Sequence, residues 1–126
     1  MDIEKTLNAG KLESISSQGI TIINNTPIPF NREEETDLLS LSRYILDIYS
    51  PICFFPETLR ISLKVSDILE FLISGDPKDD GIIIGVGGAT IQSVRLLVHA
   101  YVKANLGNIL CFVKVQDHKG NNRPLI

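Results

Sequence analysis

No apolar run in this chain approaches the roughly 20 residues that a bilayer-crossing helix needs. The N-terminus, "MDIEKTLNAG", lacks the basic start and apolar stretch of a secretory signal. The expectation is a soluble, cytoplasmic chain with no membrane partner. Cysteine is scarce. Cys53 in "PICFFP" and Cys111 in "ILCFVKV" are far apart and have no histidine cluster near them. Both read as buried thiols rather than metal ligands. A Ser/His/Asp set, paired carboxylates in a glycine-rich pocket and metal-ligand spacing are all missing. The expectation is therefore no enzyme, no cofactor and no metal. Aromatic residues make up only 6% of the chain. Phe30, Phe54, Phe55, Phe71, Phe112, Tyr44, Tyr49 and Tyr101 fall mostly on expected core faces, so no basic-aromatic platform for nucleic acid emerges from them.

Acidic residues nearly vanish from the C-terminal third. Residues 1–80 hold 7 Lys/Arg against 14 Asp/Glu, whereas 81–126 hold 5 Lys/Arg against Asp117 alone. The overall net charge of −3 thus hides a cationic end, which permits a polyanionic partner without demanding one. The 126 residues suit one folded unit, and 44% hydrophobic with 21% charged residues is globular composition.

Residues 1–31 read as an N-terminal extension in which two β-prone runs flank Ser17-Gln18-Gly19, a possible hairpin. Residues 32–126 form the main domain. "REEETDLLSLSRYILDIYSP" predicts a helix from about Glu34 to Tyr49, with Glu33, Glu34 and Glu35 at its positive end and Pro51 beyond it. "ETLRISLKVS" (57–66) alternates as a half-buried strand, and "DILEFLIS" (67–74) is a second. Asp76 and Pro77 then start a short helix toward Ile84 that the glycines break. A longer helix is predicted from about Ala89 to Asn105, and "NILCFVKVQD" (108–117) supplies the last strand.

At the centre stands "IIIGVGGATIQSVRLL". A glycine loop opening a helix attracts phosphate, because free N–H groups and the positive helix end face it. The dinucleotide fingerprint fails here: Thr90 occupies the place of its third glycine, and no acid follows until Asp117. A Walker loop fails too, since no lysine lies between Lys78 and Lys103. Ile84-Gly85-Val86-Gly87-Gly88-Ala89-Thr90-Ile91 instead spells I-G-x-x-G-x-x-I.

This run, with two strands before it and one after, resembles the KH domain in its type II arrangement, as in the small bacterial single-KH proteins. The resemblance covers about residues 35–117. It implies an α+β fold of order α-β-β-α-α-β, with a three-stranded sheet carrying helices on one face. It also implies non-catalytic binding of single-stranded RNA in RNA metabolism, and pairing with a KH-containing partner or as a homodimer. Gly85, Val86, Gly87 and Gly88 would hold the RNA backbone through main-chain N–H groups. Arg95, Lys103 and His99, with Gln92 on the same side of the following helix, would supply a basic stripe, while Ile84 and Ile91 anchor the loop and shape the groove. RNA-binding members commonly carry Lys or Arg inside the loop, where this chain has Val86 and Gly87. A KH-fold protein-interaction module that has lost strong RNA binding is the alternative.

Overall fold

The computed structural model describes residues 4–8, 12–116, 118 and 122–124, with side chains over 14–116 and at 118. Asp117 and Lys119 lie outside the described residues. The fold is α+β, built on one mixed sheet whose strands lie side by side in chain order. They are β1 (Glu4–Asn8), β2 (Leu12–Ser17), β3 (Ile20–Asn24), β4 (Arg60–Val65), β5 (Leu69–Ser74), β6 (Cys111–Gln116) and β7 (Asn122–Pro124). The three-stranded sheet expected from sequence is corrected: among the described residues the sheet has seven strands. The N-terminal segment forms three strands rather than one hairpin, and β3 pairs in parallel with β4, Ile22 opposite Leu63.

Helix α1 (Arg32–Tyr49) crosses between β3 and β4. It begins two residues earlier than its acidic run suggests, because Asn31 caps it: the Glu34 amide donates to Asn31 Oδ1 (2.8 Å), and the Asn31 amide donates to Glu34 Oε1 (3.1 Å). This reciprocal pair satisfies two amides that the first turn leaves open. Helices α2 (Asp80–Ile84) and α3 (Ala89–Asn105) cross between β5 and β6, which are also parallel. Both crossovers lie on one face of the sheet, since a single parity of strand residues is buried throughout: Ile20 and Ile22, Ile61 and Leu63, Phe71 and Ile73, Val113 and Val115.

Leu41, Ile45 and Tyr49 of α1 and Ile91, Val94, Val98 and Val102 of α3 complete one core with Ile15, Ile20 and Ile22 from the N-terminal segment. Burying each such side chain contributes about 1.5–3 kcal/mol. The other sheet face is open and polar, with Lys114 Nζ 3.1 Å from Glu70 Oε2. The aromatic expectation is corrected at three places, because Phe54, Tyr44 and Phe112 are exposed. Cys53 is half-buried and Cys111 buried, both as free thiols. Among the described residues no single helix is long and apolar enough to cross a membrane.

Candidate nucleic-acid interface

The site grows from the end of β5. Asp76 caps the next turn by accepting from the Lys78 amide (2.9 Å), and Pro77 starts it, its missing N–H costing nothing there. A 3-10 turn, Pro77–Asp79, runs directly into α2. Gly85 then stops the helix. Its φ of 83° and ψ of 167° lie in a region essentially reserved for glycine. An added Cβ at Gly85 would also collide with Thr90, reaching 2.6 Å from the Thr90 amide nitrogen.

Residues Val86–Gly88 form a second 3-10 turn, with Gly87 at φ 63° and Gly88 at φ 79°. The Gly88 amide closes this turn on the Gly85 carbonyl (3.0 Å). A Cβ at Gly87 or Gly88 would meet nothing within 4 Å, so both stand open to an approaching backbone. No side chain caps α3; the Ala89 amide turns back onto the Val86 carbonyl, and the loop sits at the positive end of a 17-residue helix. Ile91 is wholly buried and Ile84 half-buried: Ile91 anchors the loop from beneath and offers a ligand no surface.

Two residues that the sequence reading did not single out hold this unit in place. The Asp79 carboxylate, fully buried, accepts from the Phe54 amide (2.8 Å) and the Phe55 amide (2.9 Å). The Tyr49 hydroxyl donates to the Ile83 carbonyl (2.8 Å), one of the carbonyls that the short α2 leaves without a helical partner. Burial pushes the Tyr49 phenol well above its ordinary range. Burial and the nearby Asp79 charge push the Cys53 thiol up to about 11. Burial also raises Cys111, partly offset by Arg95.

The structure gathers Ile84, Gly85, Val86, Gly87, Gly88 and Ile91 at one point, and spreads the expected cations away from it. Arg95, His99 and Lys103 follow one flank of α3, with Lys103 about 22 Å along the helix from Gly88. Arg95 reaches Gln92 Oε1 (3.4 Å), and His99 Nε2 donates to the Cys111 carbonyl (3.1 Å). His99 and Lys103 border a groove of about 340 Å³ between α3 and residues 107–111. No charged side chain occurs between Asp80 and Arg95 in the sequence, so the loop can offer an anion only main-chain dipoles. Among the described residues no cluster of His, Cys, Asp and Glu could hold a metal ion. No protein-family model matches the chain, and neither curated proteins nor solved structures give a match.

Proposed function

We propose that this protein binds single-stranded RNA without catalysis, as a type II KH-like module. The observation that carries this reading is the junction of α2 and α3. Two helices meet at Gly85–Gly88, three glycines there hold positive φ, and Gly87 and Gly88 present backbone that no Cβ obstructs at the positive end of α3. The order α1, β4, β5, α2, α3, β6 supports the same reading. The sugar-phosphate would lie across Gly87 and Gly88, and the strand would run along the flank carrying Arg95, His99 and Lys103. With no cation in the loop, affinity is expected to be modest, since each phosphate contact adds to binding.

One observation favours a protein-binding role for the same region: Val86, at the tip of the loop, is 95% exposed. Amide chemical-shift mapping separates the two. A mixed-sequence single-stranded RNA pool should shift Gly85 through Thr90 and the Arg95 flank. Shifts confined to the open sheet face, or none at low salt, would overturn the RNA reading.

A further inference from the structure

Two arginines from different elements converge on the turn that joins β2 to β3. Arg43, on α1, donates from Nη2 to the Gln18 side-chain oxygen (3.1 Å) and to the Gln18 carbonyl (3.4 Å). Arg60, at the start of β4, donates from Nη1 to the carbonyls of Leu59 (2.8 Å) and Glu57 (2.9 Å). The chain passes this close because residue 19 is glycine. Its φ is 86°, and an added Cβ would lie 3.0 Å from the Leu59 carbonyl oxygen. That Cβ position is also 3.7 Å from Arg60 Nη1, so both guanidiniums flank one peptide unit, within about 10 Å of each other.

Among the described residues no carboxylate pairs with either arginine. Arg43 is half-buried, and its Nε–H is buried without an acceptor. Two like charges held this close, one of them partly desolvated, are unfavourable without an anion to share. A cavity of about 350 Å³ opens beside them, bounded by both arginines, the Gln18–Gly19 turn, Ser50 and Glu57. That is the small end of the range for ligand cavities.

We propose that this cavity binds the phosphate group of a phosphomonoester, at a site separate from the glycine loop. The bonds already made leave Arg60 its Nε–Nη2 edge, a two-pronged donor that fits two oxygens of an oxyanion. They leave Arg43 its Nη1 group, which approaches from α1. A planar carboxylate is satisfied by one such edge, whereas a tetrahedral phosphate keeps a further oxygen for the second arginine. Two charges oppose the anion: the exposed Glu57 carboxylate, and the negative end of α1, equivalent to about half a charge. Neither arginine alone outweighs both, so binding requires the pair. The turn belongs to the N-terminal segment, outside the residues that the KH resemblance covers, so that resemblance does not imply the site.

The test is an NMR titration of the full chain with AMP, adenosine and inorganic phosphate at constant ionic strength, without RNA. Amide and arginine Nε–H resonances are followed. AMP and phosphate should give saturable shifts at Gln18, Gly19 and the Arg60 Nε–H, and adenosine none there. Arg60→Gln, at an exposed position, should keep the fold and weaken AMP at least about tenfold, as should Arg43→Gln. Arg60→Lys keeps the charge but loses the fork, and should still weaken AMP severalfold. Glu57→Gln removes an opposing charge and should tighten it severalfold. Tighter binding of an end-phosphorylated short RNA than of AMP would assign the phosphate to a nucleic-acid end; equal or weaker binding would assign it to a free small molecule. No saturation by about 10 mM AMP, shifts at Gly85–Thr90 instead of the turn, equal shifts with adenosine, or a folded Arg60→Gln that binds AMP as wild type does would overturn the proposal.

Discussion

The Tyr49 hydroxyl, at the last residue of α1, donates to the Ile83 carbonyl 2.8 Å away, one residue before the glycine loop unit begins. Through this bond the long helix braces a helix of only five residues that could not hold its shape alone. Tyr49→Phe removes the donor and leaves a buried carbonyl without a partner. The expected loss is about 1–3 kcal/mol of stability. Urea denaturation checks it, and an unchanged midpoint would mean the bond does not brace α2.

Asp79 joins the loop after α1 to the start of α2 by taking two amide hydrogens on one carboxylate. Asp79→Asn turns one acceptor into a donor and sets it against an amide. The expected loss is about 2–3 kcal/mol, the range for hydrogen bonds to a charged group. Amide exchange at Phe54 and Phe55 should accelerate together, which distinguishes loss of this clamp from general destabilisation.

Much of this fold was legible in local pattern. The predicted limits of α3 match those observed, because Gly88 and Gly107 hold positive φ at its two ends and Ile91, Val94, Val98 and Val102 mark its buried face. The alternation in residues 57–66 likewise put Leu59, Ile61, Leu63 and Val65 on the core side. The parallel pairing of β3 with β4 was not legible, since a whole helix separates the two and no local signal sets their register. Phe54 misled because "PICFFP" has the composition of a core segment. Its amide is bound to Asp79 and its side chain is 75% exposed. Adjacent Asp79 and Asp80 also look alike in sequence, yet one is buried on amides while the other meets His118 (2.9 Å from Oδ1 to Nδ1). The glycine motif and the spread of Arg95, His99 and Lys103 along the following helix were plain in the sequence; that His99 turns to the Cys111 carbonyl was not, since it depends on how α3 packs beside β6.

Gly85 and Gly87 both hold positive φ, but they should respond differently to alanine. At Gly85 the backbone region is closed to other residues and the Cβ meets Thr90. At Gly87 the left-handed conformation is ordinary and the space is open. Gly85→Ala should cost at least about 1–3 kcal/mol, and Gly87→Ala about 1 kcal/mol. Equal losses would contradict the difference in packing.

Alkali should destabilise the fold. Cys53 is pushed up to about 11, and Cys111, Tyr49 and Tyr101 are all raised by burial. A folded-state pKa above the unfolded one means that the unfolded chain loses its protons first. For Cys53 the stabilisation is complete below about pH 9 and is lost as pH climbs through about 11. Denaturant midpoints taken from pH 8 to pH 11 should fall, and Cys53→Ala should shallow that fall.

Val86 is a surface position at which a cation can be added without touching the core. Val86→Lys supplies the loop charge that this chain lacks. RNA affinity should rise severalfold at low salt, and the log–log salt slope should steepen by about 0.7, the value for one added single-strand phosphate contact. An unchanged slope would place the RNA backbone away from the loop.

The most direct test is fluorescence anisotropy with a mixed single-stranded RNA pool at low and moderate salt, comparing wild type with Gly87→Asp/Gly88→Asp. Aspartate is among the side chains best tolerated at positive φ and would find open space at both positions, so the fold should survive while carboxylates occupy the anion path. Binding through the glycine loop requires that wild type bind with an affinity that falls with salt and that the variant lose it. Equal binding by both proteins, or none by wild type at low salt, would contradict it.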